Sequence, residues 1–123
     1  MENLSELDYF FREIEEAKEA YLLAEKKIEE ARHSGATKLD FRNMKLAELP
    51  ESIWTLEKLT KLDIGGERWK NARNSLTELS GAIGQLTQLQ ALDLSGNRLP
   101  KLPASIGQLT QLQKLDISNL SCG

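Results

Sequence analysis

Four aspartates recur in one setting, each directly after a leucine and before an aliphatic or aromatic residue: Asp40 before Phe41, Asp63 before Ile64, Asp93 before Leu94 and Asp116 before Ile117. The chemistry such a row offers is electrostatic. Carboxylates spaced near 5 Å repel by roughly 1 kcal/mol per neighbouring pair at surface dielectric values, and bases stand close by at Lys38, Arg42, Lys61 and Lys114. Two readings stay open for the row: a charged docking strip for a complementary protein, or a solvated residue that the repeat prefers at this position. A second cluster is Glu67-Arg68-Trp69-Lys70-Asn71-Ala72-Arg73, where an aromatic among Arg68, Lys70 and Arg73 has the composition of an interface anchor. The alternative is that Trp69 folds down over apolar surface. Covalent chemistry has little to work with. His33 is the only histidine, Cys122 the only cysteine, and no nucleotide-binding loop, nucleophile elbow, dinucleotide turn or metal-ligand spacing occurs. The sequence therefore reads as a non-enzyme with no cofactor and no metal.

The elements that must position these residues follow from a repeat. Ile83-Gly84-Gln85-Leu86-Thr87-Gln88-Leu89-Gln90 recurs as Ile106-Gly107-Gln108-Leu109-Thr110-Gln111-Leu112-Gln113, a period of 23 residues. Aligned phrases open at Leu39, Leu62, Leu92 and Leu115, at intervals of 23, 30 and 23, so the second unit carries an insertion of seven residues, Glu67 to Arg73. The unit reads L-x-x-L-x-L, then x-x-N-x-L-x-x-L-P-x-x-I.

This spacing is the leucine-rich repeat pattern, in which a short strand and an irregular or 3₁₀ turn form one coil of a solenoid. The expected fold is α/β: a short solenoid of three to four coils, parallel strands on the concave face, capped by an N-terminal α-helix. Leu39, Leu62, Leu92 and Leu115 should form one buried column, Phe41, Ile64, Leu94 and Ile117 a second, and Leu56, Leu86 and Leu109 a third. The concave face would then carry Lys38, Lys61, Ala91 and Lys114 in one exposed column, the four aspartates in the next, and Arg42, Gly65, Ser95 and Ser118 in a third, with the lysines offsetting part of the aspartate repulsion. Asn74 and Asn97 should bond buried backbone of the turn through their amides. Met44 and Leu120 take that register in the outer units, so the terminal coils should be looser. Trp54, standing where the later copies have Gly84 and Gly107, should pack on the convex side near the helix.

Residues 1–34 differ in kind. Ten acids against five bases give −5, and the whole chain is −3, which leaves +2 for residues 35–123. Leu7, Phe10, Ile14, Ala17, Tyr21, Ala24, Ile28 and Ala31 step by three and four, one stripe of a helix. Ser5 and Asp8 imitate a capping box at its start, and Gly35 supplies a left-handed stop. From Ser5 to Arg32 such a helix runs about 42 Å, whereas four strands span about 14 Å. Its first half should overhang and fold back, contact a partner or dimerise.

The far edge should be bare, with Leu109, Leu112 and Leu115 under-covered, so that the chain is a fragment of a longer protein or another copy or a partner covers the edge. The acidic balance and the absence of a basic run argue against nucleic acid, the acidic start against a signal peptide, and the lack of a long apolar run against a membrane span. A lone cysteine fits a reducing, cytoplasmic setting.

Leu99-Pro100-Lys101-Leu102-Pro103-Ala104-Ser105-Ile106-Gly107-Gln108-Leu109 resembles the repeats of Ras-suppressor and SHOC-type proteins and of plant intracellular Ras-group relatives. Gly35-Ala36-Thr37-Lys38-Leu39-Asp40-Phe41, following an acidic helix, resembles the entry to the repeats of bacterial Roco-type GTPases. The resemblance implies intracellular signalling or scaffolding, with the insertion as a departure from it, and the first reading is a module that binds another protein through the concave face and the Trp69 insertion. Two alternatives stand beside it: a regulatory N-terminal piece of a Roco-type GTPase, which the resemblance implies, and a homo-oligomer, which the bare edge suggests.

Overall fold

A computed structural model describes residues 6–67 and 71–120. Helix α1 spans Glu6–Ser34. Four three-residue strands follow, β1 Lys38–Asp40, β2 Lys61–Asp63, β3 Ala91–Asp93 and β4 Lys114–Asp116, in one parallel sheet of order β1-β2-β3-β4. The register pairs Leu39 with Leu62, Leu62 with Leu92 and Leu92 with Leu115, so the 23-residue spacing survives the insertion unshifted. Each strand begins one residue ahead of its leucine, because the preceding residue already hydrogen-bonds the neighbouring unit: Lys61 N–H reaches Thr37 O at 3.2 Å and Lys114 N–H reaches Gln90 O at 3.0 Å.

Between consecutive strands lies one 3₁₀ helix: Glu51–Thr55, Gly81–Gln85 and Ala104–Gln108. The residue opening each is extended and cannot continue a helix backwards. It is Pro50 or Pro103 in two of them, with φ fixed by the ring, and Ser80 in the third, whose hydroxyl accepts the Ala82 N–H at 3.0 Å. The backbone leaves β1, β3 and β4 through a left-handed residue at one register position, Asn43 (φ 57°), Gly96 (φ 76°) and Asn119 (φ 57°). Glycine and asparagine are the residue types that tolerate this region.

The core is a single cluster running from α1 to Leu109. Leu62, Leu92, Phe41, Ile64, Leu94, Leu86 and Leu89 are fully enclosed. At the far edge Leu115 is 37% exposed, as the bare edge implied, and Ile117, expected in a buried column, is 43% exposed, since β4 has a unit on one side only. Leu109, expected to lie under-covered, is buried, and Leu112 is half-buried, because packing of the last two 3₁₀ helices covers them.

The helix ends as its sequence demands. Gly35 is left-handed (φ 68°) and Ala36 N–H returns to Ala31 O at 3.0 Å, a closing bond that extends α1 two residues beyond Arg32. Only the second half of the apolar stripe is buried, at Ala24, Ile28 and Ala31, joined by Ala20. Three of these four are alanines, which let the helix axis approach the first unit closely. Lys27 Nζ donates to Asp40 O at 2.6 Å and sits 5.4 Å from the Phe41 ring, and Arg32 Nη1 reaches Thr55 Oγ1 at 2.6 Å. The first turns extend past these contacts: Leu7, Phe10 and Phe11 are more than half exposed. Trp54 is buried in the first 3₁₀ helix, on the side where α1 packs, with Tyr21 lining the same groove. Ser5, the capping residue expected at the helix start, and Cys122 lie outside the described residues.

Candidate protein-binding face

Each of the four aspartates accepts the backbone N–H two residues on: Asp40 from Arg42 at 2.8 Å, and Asp63, Asp93 and Asp116 from Gly65, Ser95 and Ser118 at 2.9 Å. The recurrence of Asp is thus accounted for locally. A short side-chain carboxylate closes the turn that ends every strand, a bond available to Asp but out of easy reach for Glu. In the last two units a serine hydroxyl adds a second donor, Ser95 Oγ and Ser118 Oγ at 2.6 Å. The aspartates are not freely solvated: Asp63, Asp93 and Asp116 are half-buried, and Asp40 is exposed.

Stacking these carboxylates demands a cation, and the cation is Arg42. Its guanidinium contacts Asp63 Oδ1 at 3.3 Å, Asp93 Oδ2 at 2.9 Å and Glu67 Oε1 at 3.2 Å. The lysines of the neighbouring column, Lys38, Lys61 and Lys114, were expected to offset the repulsion. Among the described residues they form no ion pair with the aspartates, although the Lys114 charge helps to lower Asp116 and so meets the expectation in part; an ammonium on a flexible stem gains little by leaving water, while a planar fork satisfies several carboxylates at once. Arg42 lies in the first unit and Asp93 in the third, so its side chain must cross the second. Gly65 makes that crossing possible. A Cβ at Gly65 would stand 2.9 Å from Arg42 Nη1, 2.6 Å from Asp93 Oδ1 and 2.7 Å from Ser95 Oγ.

Proton affinities follow the same geometry. Burial pushes the Asp63 carboxyl above its ordinary value, against the Gly65 N–H, with Asp93 adding repulsion. The Ser118 hydroxyl and N–H hold Asp116 below the ordinary value. Glu67 is lowered, chiefly by the Asn43 amide at 2.6 Å and then by Arg42. Burial alone would lower Arg42, but the Glu67 hydrogen bond and the charges of Asp63, Asp93 and Glu67 outweigh it and raise it.

The insertion is anchored at both of its described ends. Glu67 joins Arg42 and Asn43, Ala72 O accepts the Lys45 N–H at 2.8 Å, and Arg73 Nη1 reaches Gly96 O at 3.2 Å in the next unit. Arg68, Trp69 and Lys70 lie outside the described residues. Arg73 is therefore a clamp between units, a role that its place in a basic cluster did not signal. Asn43 and Glu67, which complete the Arg42 network, were also missed; the one available signal was that Asn43 and Gly66 share the register of Gly96.

Asn74 and Asn97 are fully buried. Asn74 Nδ2 donates to the carbonyls of Phe41, Ile64 and Gly65 at 2.9, 3.0 and 3.1 Å, and its Oδ1 accepts from Met44 and Leu46 N–H at 3.2 and 2.8 Å. Met44 was expected to leave the first unit loose; Asn74 of the second unit supplies the missing amide from the adjacent turn. Asn97 repeats the arrangement one unit on, accepting Leu76 N–H at 2.9 Å.

The outward sheet surface thus displays the Lys38, Lys61, Ala91 and Lys114 column beside the aspartate and Arg42 column. A depression of about 190 Å³ lies among Lys61, Asp63, Ala91, Asp93, Lys114 and Asp116, below the roughly 300 Å³ at which small-molecule sites begin. Such a surface can take the side chains of another protein by charge and shape. No helix is long and apolar enough to cross a membrane, and no group of His, Cys, Asp or Glu could hold a metal ion, among the described residues.

The family described as Leucine Rich Repeat matches residues 88–109. A solved LRR protein of Leptospira interrogans is 35% identical over 72% of this chain, with a TM-score of 0.45, and the chain spans 27% of that protein's length. Comparison with curated proteins gives no match. The chain thus carries a match to the leucine-rich repeat over residues 88–109 and sets it in a parallel-stranded α/β fold.

Proposed function

We propose that this chain is a protein-protein interaction module that binds a partner through the outward strand face and the Trp69 insertion. Leucine-rich repeat domains generally mediate such interactions, and the observation that carries the reading here is the preorganised charge on the sheet. Arg42, Asp63, Asp93 and Glu67 are fixed by mutual contacts, while the lysine column beside them stays free to engage an acidic surface. A partner meeting this face would be acidic opposite Lys38, Lys61 and Lys114, and would use a bulky apolar residue at the Ala91 gap. The resemblance of the L-P-x-x-I phrase to intracellular repeat proteins supports a place in cytoplasmic signalling or scaffolding assemblies. No step of catalysis enters this reading.

The test is site-specific photocrosslinking in the native host, with a photoreactive residue at Lys61 or Ala91 on the strand face and at Glu51 or Gln85 on the 3₁₀ side. A discrete adduct from the first pair alone, weakened by Lys61→Glu with Lys114→Glu, is the expected result. Equal adducts from both faces, or none from either, would overturn it.

A further inference from the structure

Strand β4 is the open edge of the sheet, and its exposed residues are self-complementary in a way that the inside of the molecule is not. Within the chain, parallel pairing stacks like on like: Lys38 beside Lys61, Asp40 beside Asp63, Asp93 beside Asp116. The cost of that stacking is what Arg42 offsets. An antiparallel partner reverses the order.

We propose that two copies of this chain pair antiparallel through β4 about a two-fold axis at Leu115, forming a continuous eight-stranded sheet; this surface is the edge of the sheet, adjoining the strand face assigned above and sharing Lys114 with it. Four observations converge. Lys114 N–H and the carbonyls of Asp116 and Ser118 are committed to the third unit, through Gln90 O, Leu94 N–H and Gly96 N–H. Alternation along a strand then turns the N–H and C=O of Leu115 and Ile117 outward, which is what a hydrogen-bonded antiparallel pair centred on Leu115 requires. In that register Lys114 faces Asp116 of the second copy and Asp116 faces its Lys114, two opposite-charge cross-strand pairs. Leu115 and Ile117 are exposed by 37% and 43% where their counterparts in β2 and β3 and the residues after them are enclosed; Leu115 then meets Leu115 of the second copy directly, while Ile117 faces its Gln113 and reaches its Leu115 diagonally, which joins the two cores. A head-to-tail stack of β4 on β1 is disfavoured twice over. It would again set Lys on Lys and Asp on Asp, and the β1 side is occupied by α1, where Lys27 takes the Asp40 carbonyl.

The test uses sedimentation of the 123-residue chain over a concentration series, with amide hydrogen exchange read at each concentration. Dimers should form, and the Leu115 and Ile117 amides should gain protection with concentration while those of Lys114 and Asp116 stay as protected as before. Lys114→Asp alone and Asp116→Lys alone should each weaken self-association about tenfold or more, since both cross-strand pairs become repulsive. Mixed one to one, the two variants should dimerise with each other, because one then presents acids at both positions and the other bases at both; that pairing also shows that both are folded. A monomer at every concentration, species larger than dimers, dimers with protection gained elsewhere, or a mixture that stays monomeric would each overturn the proposal.

Discussion

Arg42 is where the sequence pattern and the tertiary arrangement depend on one another most closely. A strictly repeated Asp builds up charge with every added unit, and Arg42 offsets it, held by Glu67 and given room by Gly65. Arg42→Ala should cost about 1–2 kcal/mol of unfolding free energy in urea titration, the range for a partly exposed charge-assisted network. Arg42→Lys should recover less than half, because a point charge cannot hold three carboxylates together. Gly65→Ala should act through the same network: its Cβ displaces the guanidinium, so combining it with Arg42→Ala should cost clearly less than the sum of the two. A carboxyl-resolved NMR titration should place Asp63 above and Asp116 below the ordinary aspartate value, near 3.9, as burial and the Ser118 donors direct. The consequences for stability have opposite signs. Asp116 contributes stability that is present above its unfolded value and lost as pH falls through the lower folded one. Asp63 carries a penalty that develops as pH rises through its unfolded value toward the higher folded one, and that acid relieves. Ser118→Ala should move Asp116 alone, upward.

Among the elements, the strand-leaving turn does most to unite neighbouring units. Strands of three residues offer few ladder bonds, so buried amides take over the task of satisfying backbone groups that no water reaches. Asn74 bonds five backbone groups across two units. Asn74→Ala should destabilise by about 3 kcal/mol or more by orphaning several of them, and its signature in hydrogen exchange should be loss of protection at Leu46, in the unit before it. The spacing of Asn74 and Asn97 was visible beforehand, as was the role of their amides. That one amide serves the preceding unit was hidden, because residues 30 positions apart in sequence meet only after the units stack.

For the whole molecule, α1 divides into a longer docked stretch and a short undocked start. At 29 residues it is about 44 Å long at 1.5 Å per residue, roughly three times the width of a four-stranded sheet. Its first two turns find no surface, whereas from Ile14 on it meets the first unit, with Ile14 and Ala17 half-buried and Glu16 paired with Lys45 at 3.3 Å. Removing residues 1–15 should leave urea stability within about 0.5 kcal/mol, since Leu7, Phe10 and Phe11 are exposed. Ile28→Ala, at a fully enclosed position beside the first unit, should cost about 2–4 kcal/mol and expose the Phe41 side of the core. A loss of comparable size from both changes would show that the overhang is packed rather than free.

The 23-residue period by itself determined the number of units, the leucine columns, the parallel register and the place of the insertion, because each repeat reads its own backbone and periodicity is a local property. The helix and its glycine stop were legible for the same reason. Tertiary structure alone decided how far the bare edge reaches: Leu109, expected to be under-covered, is buried, while Ile117, expected in a core column, is 43% exposed. It also decided that Arg42, rather than the adjacent lysines, neutralises the aspartates. That outcome depends on a reach across two units and over a glycine, a distance that exists in space and has no counterpart in sequence.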